Sequence, residues 1–418
     1  MQLRARRLWL GILMAGWTAG GLCAQPALTW AEVRARFEAA NPTLQAGGIA
    51  IQESKAQEIT AHLRPNPTLT ATLDQLDPFT PNPYRPLGNT LPLITFDYLH
   101  ERQHKRELRL ESAQRATMIA EWQQADVARN LIFNLRNAFV QTLQAKSVAA
   151  LAKENLDYFD RELAISRDRF QAGDIARVDL DRLELQRVQY EADYQTAQVN
   201  LRTAKIALLT LLDDRRPVEQ FDVTGVFDFA GRVLPLEELR ATAMDARPDL
   251  KAAALAIEKA QTDRRLAAAN SSADPTFGLD IGRNPPIPAY FGVSVNIPLR
   301  IFDRNQGEKL RTELEIKRTE RLREVAAAQA LSDVDSAYAV LTNTMALLQP
   351  YKTSYLPAAT RVRDTMSFSY QHGQASLLEY LDAQRDYRSV ELSYLILVGS
   401  YLASANQVNL AAGREVIQ

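Results

Sequence analysis

The 418-residue chain contains one cysteine, Cys23. A lone thiol excludes an internal disulfide framework and every cysteine-based metal cluster. Histidine is almost as scarce, with only His62, His100, His104 and His372. His100 and His104 are four apart, a spacing that on a helix puts both within reach of one metal. No third ligand accompanies them, and they fit equally well as exposed residues at the start of a long helix. Net charge is absent too: 49 basic against 50 acidic side chains leave a balance of −1. That gives no support to a nucleic-acid-binding surface, and the charges read as solvated helix faces. Nucleophile elbow, phosphate loop, metal-ligand cluster and catalytic triad string are all missing. Neither an enzyme nor a cofactor is expected.

Long apolar runs are also missing, with one exception. Arg4, Arg6 and Arg7 precede an apolar stretch from Leu8 to Met14 and on to Trp17, followed by small residues. This is the layout of a secretory signal peptide over residues 1–24, cut after Ala24. A membrane-spanning helix would need roughly 20 apolar residues, more than this run offers. Cys23 has a second reading as a lipidation site, for which Gly20, Gly21 and Leu22 are poor neighbours. With the cut after Ala24 the exported chain holds no thiol.

What is present is one helix carried twice. Leu180, Leu183, Arg187, Tyr190, Tyr194, Ala197, Leu201, Ala204, Leu208 and Leu211 recur every three and four residues, a coiled-coil seam of period 3.5. Displaced by 200, Tyr380, Ala383, Tyr387, Val390, Tyr394, Leu397, Tyr401, Ser404, Val408 and Ala411 occupy the same frame. Each copy follows a glycine with an aromatic three residues earlier, Phe170 with Gly173 and Tyr370 with Gly373. The glycines read as tips of helical hairpins. The arms leading to them, about 102–171 and 306–371, would be on the order of 100 Å long. Pro350 and Pro357 predict a kink in the second arm alone.

The remainder duplicates as well. Leu28 to Val33 before Asn41-Pro42 matches Leu234 to Leu239 before Arg247-Pro248, and alanine-rich helices follow in both halves. Alternation then predicts strands at about 67–74 and 91–98, and again at about 275–282 and 290–299. Proline-rich loops carrying Pro78, Pro81, Pro83 and Pro86, then Pro285, Pro286 and Pro288, separate the members of each pair. The chain divides into a first repeat over 25–214, a linker over 215–235 and a second repeat over 236–418. Four strands cannot close on themselves, and an open apolar edge invites pairing. Further copies of the chain are expected to close the sheet. Apolar outward faces with Phe79, Tyr84, Phe96, Tyr98, Tyr290 and Phe302 near the strand ends suit an outer-membrane barrel. An ordinary small periplasmic sheet fits the alternation as well.

This order of elements resembles the TolC-like outer-membrane efflux proteins across essentially the whole exported chain. The resemblance implies a mainly α fold with a small β-barrel part. In it, duplicated long hairpins from three chains form a 12-helix periplasmic α-barrel, continuous with a shared 12-stranded outer-membrane β-barrel. Within that group, Pro298 and the string Phe302-Asp303-Arg304-Asn305-Gln306-Gly307-Glu308 resemble the heavy-metal branch, the CzcC-like proteins, as do the Asn-Pro pairs at Asn41 and Asn66. Asp303 and Asn305 suit capping of the helix that begins there, and Gly307 suits close packing. The family also implies partners: a homotrimer in outer-membrane lipid, a periplasmic adaptor and an inner-membrane pump of the RND type, with no nucleic acid.

A duct does no bond chemistry, so the residues of interest lie at its gate and tips. Counting from Gly373, the family's aperture carboxylates fall on Glu379 and Asp382. Asp179, six residues after Gly173, falls where the family pairs it with Tyr370. Three chains would bring six carboxylates to one ring, where like charges raise one another's pKa and attract cations. Glu379 and Asp382 also fit plain solvated coiled-coil charges. Phe170, Gly173, Gly373 and His372 mark the tips where an adaptor or pump would dock. The function expected is passive export of heavy-metal cations from periplasm to exterior. Drugs or secreted polypeptides are an alternative cargo, and a periplasmic coiled coil without a pore is an alternative architecture.

Overall fold

The computed structural model describes residues 27–76, 79, 87, 90–229, 231, 233–284 and 286–417. The signal peptide, Cys23, Tyr84 and the prolines at 78, 81, 83, 86 and 285 lie outside them.

A capping box starts the described helices: Thr29 Oγ1 accepts from the Glu32 amide while the Glu32 carboxylate accepts from the Thr29 amide at 2.8 Å. The resulting α1 (Trp30–Ala40) stops at Asn41, whose side chain caps α2 (Pro42–His62). Strands β1 (Thr68–Asp74) and β2 (Leu91–Leu99) lead into α3 (Lys105–Ala172), which is 68 residues long and unbroken. At ~1.5 Å per residue it is about 100 Å tall. Gly173 turns the chain into α4 (Arg177–Leu211).

The same order then recurs as α5 (Leu236–Ala246), α6 (Pro248–Ala269), β3 (Thr276–Asn284), β4 (Ile287–Asn296) and α7 (Gln306–Pro350). Where the sequence places a kink, a five-residue π-helical turn, Tyr351–Tyr355, separates α7 from α8 (Leu356–Gln371). Pro357 has no amide hydrogen to close an α-type bond back across that turn, so the ladder widens there. Gly373 turns the chain into α9 (Leu377–Ala412).

The strands make one antiparallel sheet in the order β1-β2-β3-β4. β4 begins at Ile287, earlier than the alternation suggested, and ends at Asn296. Pro288 is tolerated because β4 is an edge, where a missing amide hydrogen breaks no ladder bond within the chain.

Three apolar clusters are strung along the helices. One joins α1 to the middle of α3 and the end of α4 through Phe37, Leu135, Phe139 and Leu208. Phe221 and Val223 complete it, and the bridge from Leu28 to Val223 ties the chain's start to the segment between the halves. That segment, read as a linker, is therefore firmly packed. A second cluster joins α5, α7 and α9 through Leu239, Val334, Leu341, Tyr401 and Val408. The third lies near the tips and brings the two hairpins together through Phe159, Leu183, Tyr190, Tyr370 and Tyr380.

Candidate functional site: sheet wall and hairpin tips

Pairing register decides what the sheet presents. Leu69 lies opposite Phe96, Phe96 opposite Leu279, and Leu279 opposite Val293. One step along, Ala71, Ile94, Ile281 and Phe291 line up in the same way. Side chains alternate along strands, so these two rows share one face, and that face is apolar from edge to edge. It is also uncovered: Leu69 is 73%, Phe291 74% and Val293 87% exposed. The opposite face carries Thr70, Thr95, Asp97, Asp280 and Ser294, with Thr95 Oγ1 donating to Asp280 at 2.7 Å. Gly278 and Gly292 lie on this polar face, where a Cβ at 278 would stand 2.8 Å from the Asp97 carboxylate.

A sheet apolar on one side and wet on the other, with both edges unpaired among the described residues, has the form of one sector of a larger wall. β1 and β4 run antiparallel to each other, so pairing of β4 of one copy with β1 of the next would continue the same alternation. A head-to-tail contact of this kind repeats until the rotation closes. Among the described residues no helix is long and apolar enough to cross a membrane.

At the tips, Gly173 and Gly373 take φ of 86° and 72°, in the left-handed region. A Cβ at either position meets nothing within 4 Å, so only the backbone demands glycine. Gly373→Ala is expected to lower the stability of the second hairpin by about 1–2 kcal/mol, read as earlier thermal loss of helicity with unchanged assembly.

Tyr370, at the end of α8, stacks on Tyr380 of α9 with ring centroids 4.9 Å apart and planes 15° from parallel. The Arg169 guanidinium lies 5.3 Å from the Tyr370 ring and donates to its carbonyl at 3.0 Å. Asp179 is near enough for its charge to help raise the Tyr370 pKa, after burial, which is the main cause. Among the described residues no hydrogen bond joins the two side chains, and within one chain Tyr370 is stacked on Tyr380 beside Arg169.

Glu379 and Asp382 occupy the first turns of α9. Glu379 closes a capping box, its Oε2 accepting from the Ser376 amide and hydroxyl, both at 2.8 Å. The bond from the Ser376 backbone, then that from its hydroxyl, holds the Glu379 carboxyl below its ordinary value. Asp382 reaches Arg385 at 3.2 Å. Both carboxylates stay accessible in the chain.

Sequence reasoning missed what joins the hairpins. Gln371 Nε2 donates to Glu162 at 3.0 Å, and Tyr158 donates to Ser367 at 3.0 Å. Arg388 lies 4.2 Å over the Tyr190 ring while bonding Asp193 at 2.9 Å. Tyrosines on both seams were the available signal, because an aromatic at a coiled-coil core position asks for a wide partner. His372 packs its ring 4.1 Å from Phe368 beside the tip, and Phe170 stands near Arg177 at 5.7 Å.

The string at the second strand-to-helix junction behaves differently from expectation. Asn305 takes φ 57° at the N-cap of α7 and its side chain makes no cap bond there. Asn305 Nδ2 instead donates to the Ala267 carbonyl of α6 at 2.8 Å, tying α7 to its neighbour. Asp303 accepts from the Asn305 amide and Gln306 from the Arg304 amide, both at 2.8 Å, so these side chains fold the turn itself. Glu308 pairs with Arg311. A Cβ at Gly307 would meet nothing within 4 Å, so no close packing inside the chain requires that glycine. Pro298 and Phe302 lie between sheet and helix, with Phe302 91% exposed.

His100 and His104 do not share a helix face, since α3 begins only at Lys105. Among the described residues no group of three or more His, Cys, Asp or Glu could hold a metal ion.

Comparison with known proteins agrees with this architecture. Residues 239–414 match the family model of the outer membrane efflux protein. The cobalt-zinc-cadmium resistance protein CzcC of Cupriavidus metallidurans is 25% identical over 315 residues, 74% of either chain. Among solved structures, the transmembrane channel CusC superposes with a TM-score of 0.73 at 18% identity, covering 92% of both chains. The open-state MtrE outer membrane channel of Neisseria gonorrhoeae gives 0.73 at 18% identity, over 93% of this chain and 89% of that one. With its uncovered apolar wall and its tall paired hairpins, the chain has the fold of the outer membrane efflux channels, and its second half is similar to the outer membrane efflux protein family.

Proposed function

We propose that three copies of this chain close into one duct, the exit component of a tripartite efflux system that carries heavy-metal cations from periplasm to exterior. The observation that carries the reading is the open four-stranded sheet, whose uncovered face is apolar and whose edges β1 and β4 are left for neighbouring copies. Three such sheets give twelve strands, an even number that keeps every pair antiparallel. The wet face, with Asp97 and Asp280, then lines the bore. The two hairpins hang below it, and their tips at Gly173 and Gly373 meet the periplasmic adaptor and an inner-membrane RND pump. Glu379, Asp382, Asp179 and Tyr370 surround the lower aperture.

The cargo assignment rests on the similarity to CzcC, on the junction string and on the acidic first turn of α9. Transport requires no tight site, because a duct that held its ion strongly would release it slowly. The test is a deletion strain grown across zinc, cobalt, cadmium, nickel, copper and silver. Lowered tolerance to at least one divalent ion, restored by the intact gene, is the expected result. Unchanged tolerance to all six would remove the metal cargo. A monomeric mass for the purified protein, or no conductance in planar bilayers, would remove the duct.

A further inference from the structure

Where β2 turns into α3, a cavity of about 430 Å³ opens at the foot of the sheet. Arg64 from the α2–β1 turn, Tyr98 from β2, and His100, Arg102 and His104 from the β2–α3 turn line it. The charges around it do not cancel. Lys105, 4% exposed, is matched by Asp274 at 2.6 Å. Glu101 is taken by Arg109 and Glu107 by Arg106. Both carboxylates on the cavity are therefore engaged. The Arg64 and Arg102 guanidinium groups remain, exposed and with no ion-pair partner among the described residues.

Position supplies the second half of the argument. Arg64 lies four residues before Thr68 of β1, and Arg102 three residues after Leu99 of β2. Both stand directly below the uncovered apolar face, on the side from which the helices descend. At the other junction Arg304 follows the exposed Leu299, Ile301 and Phe302, and its side chain likewise has no acidic partner among the described residues. Apolar wall above and unpaired guanidinium below is the order of a bilayer leaflet, with acyl chains first and phosphates next. A guanidinium fork matches two oxygens of a phosphodiester.

We propose that the Arg64–Arg102 cavity binds the phosphate of an anionic phospholipid of the periplasmic leaflet, so that a closed trimer carries a basic collar at that level. The inference rests on the reading of the sheet as the membrane-spanning wall.

The test uses the purified full-length protein reconstituted in vesicles of equal amounts of phosphatidylglycerol and phosphatidylcholine, then re-extracted and weighed with its retained lipids by native mass spectrometry. Preferential retention of phosphatidylglycerol is expected. Arg64→Gln with Arg102→Gln lowers that preference by about fivefold per arginine, while Arg64→Lys with Arg102→Lys, which keeps the charges and loses the forks, lowers it by less. The absence of a preference in the wild-type protein, or its survival in the glutamine variant, would overturn the proposal. Displacement of the lipid by inorganic phosphate at matched ionic strength would assign the cavity to a free anion instead. A preparation that conducts but shows no preference removes the collar and leaves the duct standing, whereas failure to insert into vesicles removes both.

Discussion

Neutralising the first turns of α9, Glu379→Gln with Asp382→Asn, is expected to abolish block of the channel by multivalent cations while the trimer stays intact. In the proposed assembly six carboxylates stand around the narrow end. Each unit charge about 4 Å from an ion contributes about 1 kcal/mol even in water. Six together hold a trivalent ion well above the level of any single pair, so the blocking constant is expected to weaken at least tenfold. Glutamine is preferred to alanine at 379 because an amide at this position still accepts from Ser376, as the carboxylate does. The readout then reports charge rather than loss of a cap. Because Ser376 depresses the Glu379 pKa, the stabilisation from this cap is present above the unfolded value and is lost as pH falls through the lowered one. Block that is equally strong in the double variant would remove the aperture assignment.

The second large effect concerns packing. Tyr380 is fully buried where the two hairpins meet, stacked on Tyr370. Tyr380→Ala removes a whole ring from a site walled by Phe159, Leu163 and Leu183, and is expected to cost about 3–5 kcal/mol. Tyr380→Phe is expected to be neutral or slightly stabilising, because the Tyr380 hydroxyl is buried with no hydrogen-bond partner among the described residues. Hydrogen exchange at the start of α9 separates the outcomes: fast exchange in the alanine variant, unchanged or slower exchange in the phenylalanine variant. A strongly destabilised phenylalanine variant would show that the hydroxyl has a partner, which the assembled trimer would have to supply.

Much of this architecture was legible because it rests on local periodicity. The left-handed turns at Gly173 and Gly373 follow from glycine beyond a long helical pattern, and the apolar strand face follows from alternation. What stayed hidden was long-range. Asn305 looks like a cap in any one-dimensional reading, yet its amide goes to Ala267, which lies 38 positions earlier in sequence. The stacking of Tyr370 on Tyr380 was equally out of reach, because it joins side chains of two different helices. On α9 the seam broadens: Val398 and Ala405 are buried beside Tyr401 and Val408 because the upper helix packs against α3 and α7 together. A 3.5-residue frame describes a helix with one partner and blurs where there are two.

The π-helical turn at Tyr351–Tyr355 has a mechanical consequence. α3 descends as an unbroken strut, whereas the matching arm of the second half carries a soft joint with the 16 residues of α8 below it. That lower segment is a lever about 24 Å long. A swing of only ~10° at the joint would carry Gly373 sideways by about 4 Å, a displacement as wide as an ion with part of its water. The second hairpin of each chain thus carries a break in its ladder that the first lacks.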